Sequence, residues 1–257
     1  TEEAVKFIGE HKTQPFFLYL AHTFPHVPLF ASADFKGKSK AGIYGDTVEE
    51  LDWSVGQILE TLRKEKLEQN TLVVFTSDNG PWLIMGEAGG SAGPLRDGKG
   101  STWDGGMRVP CVAWMPGRIK PAVSSQMVQA MDWFPTALSL AEVKLPEGVV
   151  LDGVNLSPLL LENQPLAERP YFFYRGPHLF ACRLGPWKAH FFTQGAYGGP
   201  AKQSHEPPLL YHLGNDPGEK NNVAADQPEV LEQIKSAVSA HQAKMVAGPK
   251  QLKSTKP

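Results

Sequence analysis

The chain has 257 residues, of which 41% are hydrophobic and 20% charged, with a formal net charge of −2. That is the composition of an ordinary globular protein, with material for one large domain or two modest ones. A near-neutral charge gives no electrostatic footprint for nucleic acid, and no apolar run approaches the ~20 residues of a membrane-spanning helix. Thr1 leads straight into TEEAVKFIGEHK, which has no signal-peptide pattern and reads as a cut through a longer protein. Cys111 and Cys182 lie in apolar, strand-like surroundings and are expected as buried free thiols, which leaves the redox compartment open.

Ala4, Val5 and Ile8 give residues 1–11 a helical stripe, which Pro15 ends. Phe16 to Ala21 is a compact apolar run that predicts a strand. It empties into His22-Thr23-Phe24-Pro25-His26-Val27-Pro28, where the prolines fix φ and stiffen a loop carrying two histidines. Asp46 to Lys66 predicts an amphipathic helix, with Val48, Leu51, Val55, Ile58, Leu59 and Leu62 on its apolar face.

Leu72 to Thr76 is a short β-branched and apolar run, expected as a strand buried on both faces. The resulting alternation of helix and strand implies a mainly parallel sheet with covering helices. The run stops at the turn formers Ser77-Asp78-Asn79-Gly80-Pro81. In such a sheet ligands gather outside the carboxyl ends of the strands, where Asp78 and Asn79 would project, and their oxygens suit a hard divalent cation. A Gly-rich loop follows, and Lys99, between Gly98 and Gly100, is a cation placed to meet an anionic substrate.

Val109 to Met115 predicts another strand, and Met127 to Ala141 a helix started or kinked near Pro135. Residues 145–161 are turn-rich, and a domain boundary is expected at 163–170, dividing the chain into 1–165 and 166–257. Beyond it, Tyr171–Tyr174, His178–Leu184, Trp187–Thr193 and Leu209–Leu213 are short strands without intervening helices, the pattern of an antiparallel sheet. Asp216-Pro217-Gly218-Glu219 is a turn, 228–246 a closing helix, and 248–257 a Lys-rich, solubilising tail.

Two motifs in the Gly-rich loop have flanks that disagree with them. Gly93 to Lys99 matches G-x-x-x-x-G-K, but Gly100 stands where a phosphate-binding loop needs Ser or Thr, and no strand precedes. Gly89 to Gly93 matches G-x-S-x-G, the nucleophile elbow that would make Ser91 a nucleophile, yet neither the strand before nor the helix after is present.

Taken together, FLYLAHTFPHVPLF, YGDTVEELDWSVG, FTSDNGP, GGSAGPLRDGKGSTWDGGMRVP, LDGVNLSPLL, KAHFFTQG, HEPPLLY and DPGE occur in the order and spacing of the sulfatases. The chain resembles most closely the arylsulfatase A and N-acetylgalactosamine-6-sulfatase branch. The resemblance implies an alkaline-phosphatase-like α/β domain with a mixed sheet and covering helices, beside a small C-terminal antiparallel sheet with a closing helix. It implies hydrolysis of sulfate monoesters with one divalent cation, usually calcium, and a formylglycine nucleophile.

By that resemblance Asp78 and Asn79 are metal ligands. Lys99 contacts the sulfate and the leaving-group oxygen, and His26 binds sulfate and protonates the departing alkoxide. His205 is a candidate substrate contact near the cleft mouth, His22 has no counterpart, and Asp104 is a loop-orienting acid.

The family's C/S-x-P/A-S-R nucleophile motif does not occur here, and its remaining cation ligands also lie upstream in the family. The chain therefore corresponds to the C-terminal part of a sulfatase, with the N-terminal half as its missing partner. Taken alone, it is expected to be inactive and to bind calcium weakly. The substrate would be a sulfated small molecule, glycan or lipid, and the setting extracytoplasmic: lysosomal, periplasmic or secreted. The competing readings are a non-catalytic anion- or carbohydrate-binding remnant, and a phosphate or phosphonate monoester hydrolase of the same superfamily.

Overall fold

A computed structural model describes residues 1–145 and 147–245. The chain opens with helix α1 (Glu2–His11), which buries Ala4 and Ile8 against the long helix α2 (Gly42–Lys64). α2 begins four residues before the expected start, because Asp46 acts within its first turns rather than capping it. The buried Asp46 carboxylate accepts the backbone N–H groups of Gly37, Lys38 and Ser39 at 2.7, 3.1 and 2.7 Å. Those donors hold its pKa below the usual carboxylate range.

The expected strand at Phe16–Ala21 forms no regular element and joins no ladder among the described residues, and Phe17 and Tyr19 are 78% and 82% exposed. Strand β1 (Val73–Thr76) pairs with β2 (Cys111–Trp114) in antiparallel register, Val73 opposite Trp114 and Thr76 opposite Cys111. The expectation of a mainly parallel sheet is thus corrected for the described residues. The connection from β1 to β2 carries no long crossover helix; it is a short 3-10 stretch (Leu83–Gly89), the rest of the Gly-rich loop and the single-turn helix α3 (Asp104–Met107), after which the chain doubles back. Nor is β1 covered on both faces, since Phe75 and its partner Val112 are exposed. Cys111, at the start of β2, is exposed as well, which corrects the expectation that both thiols are buried.

Helix α4 (Trp133–Leu140) has Pro135 in its first turn, where a missing N–H costs nothing. Helix α5 (Ser157–Glu162) ends at Asn163, whose left-handed conformation closes it. The connection between α4 and α5 is gathered by buried Asp132. Its carboxylate accepts the N–H groups of Gln129 and Val154 and pairs with Arg169 at 2.6 Å.

Strands β3 (Tyr171–Arg175), β4 (His178–Leu184), β5 (Trp187–Thr193) and β6 (Gln203–His212) form an antiparallel sheet in sequential order. β6 starts six residues before the expected Leu209, because Gln203 and Ser204 already pair with Thr193 and Phe192. Helix α6 (Pro228–Lys244) closes the fold; position 246 of the expected helix and the Lys-rich tail lie outside the described residues.

Alternation along β5 gives the sheet two faces with different tasks. Ala189 points to α6 and joins a core with Cys182, Leu210, Leu231, Ile234 and Val238. Lys188 and His190, one residue to either side, point to the opposite face, where the Gly-rich loop lies.

Candidate active site

Two segments build the candidate site. The first is the turn after β1. Asp78 is exposed and Asn79 half-buried, and the Asn79 amide N–H donates to the Asp78 carboxylate. The second is the Gly-rich loop, pulled tight against that turn. Lys99 N–H donates to Pro81 O at 2.8 Å and Gly80 N–H to Gly106 O at 3.1 Å. A methyl group on Gly80 would overlap the Gly105 carbonyl oxygen, so glycine at this position permits the contact.

Trp82 is where the site residues meet. The His26 ring lies 5.4 Å from it between centroids, and Lys99 Nζ stands 5.3 Å from its centre. His26 is exposed, and its Nδ1 lies 2.7 Å from Val27 O. A carbonyl can only accept, so Nδ1 carries a proton and Nε2 is left for chemistry.

His205 stands apart from this group. It sits on β6 and bonds Thr193 Oγ1 at 2.8 Å, and burial lowers its pKa. His22 lies 3.4 Å from Ser54 Oγ, which also bonds Thr1 Oγ1 at 2.6 Å. Ser91 is exposed on a loop with no strand before it and no helix after it, so the nucleophile-elbow geometry is absent there.

Asp78 and Asn79 supply hard oxygen donors at a strand end, the chemistry a calcium ion uses, but such an ion takes ~6–8 oxygens. Among the described residues no group of three or more His, Cys, Asp or Glu side chains is gathered as a metal site. The pair fits as a portion of a cation site and falls short of a whole one.

Composition and spacing did not reveal what holds the Lys99 loop. Asp104 is buried and accepts Lys188 Nζ on Oδ1 at 2.7 Å, while its own N–H donates to Glu219 Oε2 at 2.8 Å. Glu219 Oε1 accepts His190 Nε2 at 2.7 Å and lies 3.3 Å from Lys188 Nζ, and Glu219 O accepts from Arg96 at 2.6 Å. Glu219 has φ of 49°, a left-handed conformation that these bonds sustain in a residue other than glycine.

Burial would raise the Glu219 carboxyl, but the His190 hydrogen bond and the Lys188 charge carry it below its ordinary range. Burial lowers His190 to about 4, against the smaller opposing pull of Glu219. A neutral His190 also fits its surroundings: Nε2–H donates to Glu219, and Nδ1 has no partner among the described residues. An unpaired buried lone pair costs less than the unpaired N–H that protonation would create. The only sequence cue was that Lys188, His190 and Glu219 fall within the family segments KAHFFTQG and DPGE.

Residues 1–143 match the sulfatase family profile, and residues 166–257 match the profile of the C-terminal region of aryl-sulfatase. The chain belongs to the sulfatase family. It is 42% identical to human N-acetylgalactosamine-6-sulfatase, covering 98% of this chain and 53% of that protein. With human arylsulfatase A it shares 41% identity over 88% of this chain and 48% of the relative. The crystal structure of the PsFucS1 sulfatase from Pseudoalteromonas sp. superposes with a TM-score of 0.89 at 28% identity, covering 94% of this chain and 51% of that one. This sulfatase-family chain thus has part of the alkaline-phosphatase-like fold and spans about half the length of the curated relatives it matches. Among the described residues no helix is long and apolar enough to cross a membrane.

Proposed function

We propose that this chain carries the C-terminal share of a sulfatase active site, and that the complete protein hydrolyses sulfate monoesters. The observation that carries the reading is the convergence of His26 and Lys99 on Trp82, beside the turn bearing Asp78 and Asn79. In this reading the chain divides at about residue 165 into a catalytic α/β portion and a C-terminal domain.

The Lys99 ammonium neutralises charge on a sulfate oxygen and on the leaving oxygen as the S–O bond breaks, a type of stabilisation that acts where charge develops. His26, its ring oriented by the Nδ1–H bond to Val27 O, gives the Nε2 proton of its imidazolium form to the departing alkoxide and is left as the neutral Nδ1–H imidazole. A positioned acid of this kind contributes ~10²–10⁴-fold. Asp78 and Asn79 would hold part of the coordination of a calcium ion; bound calcium would supply positive charge to the sulfate oxygens, and a formylglycine from the N-terminal half the nucleophile. His205 is a substrate contact at the rim, and the setting is extracytoplasmic.

The test is turnover of 4-nitrophenyl sulfate against 4-nitrophenyl phosphate by protein made from the gene's full reading frame. Calcium-dependent cleavage of the sulfate ester is expected, with kcat cut ~10²–10⁴-fold by His26→Ala or Lys99→Ala. Faster cleavage of the phosphate ester would make the protein a phosphomonoesterase. Binding without cleavage of either would make it a non-catalytic anion-binding protein.

A further inference from the structure

We infer that Glu219, on the turn between β6 and α6, is a positioning residue for Lys99: it clasps both ends of the loop that presents the ammonium to the leaving oxygen. This inference rests on the sulfatase reading above and adds to that site a residue sealed from solvent.

Lys99 lies between Arg96 and Asp104, and both are bonded to Glu219. Arg96 donates to the Glu219 carbonyl oxygen at 2.6 Å, and the Asp104 N–H donates to Glu219 Oε2 at 2.8 Å. Gly105 N–H closes the base of the same loop onto Arg96 O at 2.8 Å. The approach is so close that a methyl group on Gly105 would meet the carbonyl oxygens of Arg96 and Asp97. Arg96 is fixed a second time, its guanidinium lying 3.7 Å from the centre of the Trp103 ring. With the base closed, only the crown of the loop is left to place. There Lys99 N–H meets Pro81 O at 2.8 Å, and the side chain stands over Trp82.

Glu219 is itself rigidly presented. Its N–H donates to Asp216 O at 3.1 Å, and the Asp216 carboxylate accepts the N–H groups of Lys220 and Asn221 at 2.8 and 2.7 Å. Its second carboxylate oxygen faces His190 and Lys188 on β5, so the clasp is anchored in the sheet. Glycine would satisfy the left-handed φ of 49° at lower cost, and the work of the carboxylate is what explains a glutamate there. That work matters to chemistry because charge stabilisation depends on where the cation stands, and a displacement of ~1 Å caused far from the reacting atoms can cost ~10²-fold.

The test uses protein made from the gene's full reading frame, with phenyl sulfate and 4-nitrophenyl sulfate competing in one reaction. Phenoxide is the poorer leaving group and depends more on Lys99, and the ratio of the two kcat/KM values does not change with the fraction of protein that is folded. Glu219→Gly suits the left-handed φ and removes only the side chain. It is expected to lower kcat/KM for phenyl sulfate about 10²-fold and to shift the ratio against phenyl sulfate at least about threefold, in the same direction as Lys99→Ala. Added to Lys99→Ala, it should shift the ratio no further, since both changes remove one interaction. Glu219→Gln, which keeps an oxygen for the Asp104 N–H, should bring the ratio back to within about twofold of the parent. An unchanged ratio in Glu219→Gly, a further shift on top of Lys99→Ala, or no recovery in Glu219→Gln would overturn the clasp. Failure of the underlying reading looks different: the parent would cleave neither ester, or Lys99→Ala would cleave both as fast as the parent, and the clasp would fall with it.

Discussion

Lys188 Nζ donates to Asp104 Oδ1 at 2.7 Å, and neither residue is reached by solvent to any extent. The bond joins the C-terminal sheet to the loop bearing Lys99 across a stretch of sequence in which neither partner announces the other. Lys188 also stands 3.3 Å from Glu219 Oε1 and 4.5 Å over the Phe173 ring, so one ammonium serves two carboxylates and an aromatic face.

Lys188→Met keeps most of the volume and removes the charge, leaving buried Glu219 without its lysine and buried Asp104 with only the Arg183 guanidinium, 3.8 Å away. Breaking a buried pair in this way typically costs ~3–5 kcal/mol. The urea midpoint of the variant should fall accordingly, with the m-value unchanged. A loss under ~1 kcal/mol would mean that water reaches the cluster and does the work assigned to Lys188.

Acid should weaken the same junction through His190. Its folded pKa of about 4 lies below the ordinary 6.5, so between those values the unfolded chain binds more protons than the folded one. Stability therefore falls as pH drops through that window, by up to about 3 kcal/mol, and this contribution is fully present only above 6.5. Glu219, with its carboxyl depressed, acts with the same sign at lower pH: its contribution is present above the ordinary 4.5 and is lost as pH falls through the folded value. Urea midpoints at pH 7, 5.5 and 4.5 should decline in the parent chain and decline less in His190→Gln. Parallel profiles would refute the assignment.

Glycine-to-alanine changes should split by position. At Gly80 a methyl group meets the Gly105 carbonyl, so Gly80→Ala must separate the β1 turn from the Lys99 loop and should cost about 3 kcal/mol. At Gly56, inside α2 and with open space around it, alanine should stabilise by ~0.5–1 kcal/mol. Thermal melts of the two variants should move in opposite directions; a shared direction would mean that the two loops are not in register as described.

The two thiols should differ in reactivity. Burial raises both, Cys182 to about 12, but Cys111 is exposed at the start of β2 while Cys182 is sealed beneath α6. A disulfide reagent at pH 8 is expected to modify Cys111 alone in the folded 257-residue chain and Cys182 only after unfolding. Equal rates would show that α6 opens readily from the sheet.

Local pattern made much of this chain legible. The bounds of β4 and β5 follow from their turns, α6 from its apolar spacing, and the start of α4 near Pro135 from what a proline tolerates. The motifs around His26, Asp78-Asn79 and Lys99 carried family membership, since their order and spacing are properties of the chain itself.

Tertiary structure decided the rest, because each remaining feature depends on what lies opposite a residue rather than beside it in sequence. Phe16–Ala21 reads as a strand, but a strand needs a partner, and none lies alongside among the described residues. The run at β1 reads as parallel and twice-covered, but the Gly-rich loop turns the chain back on itself and leaves Phe75 and Val112 open. Lys188, His190 and Glu219 look like surface charges one at a time, and the resemblance that made Asp104 a loop-orienting acid did not name its partners. Only when folding removes them from water together must each find its counterion or hydrogen-bond partner, and that requirement fixes where Lys99 stands.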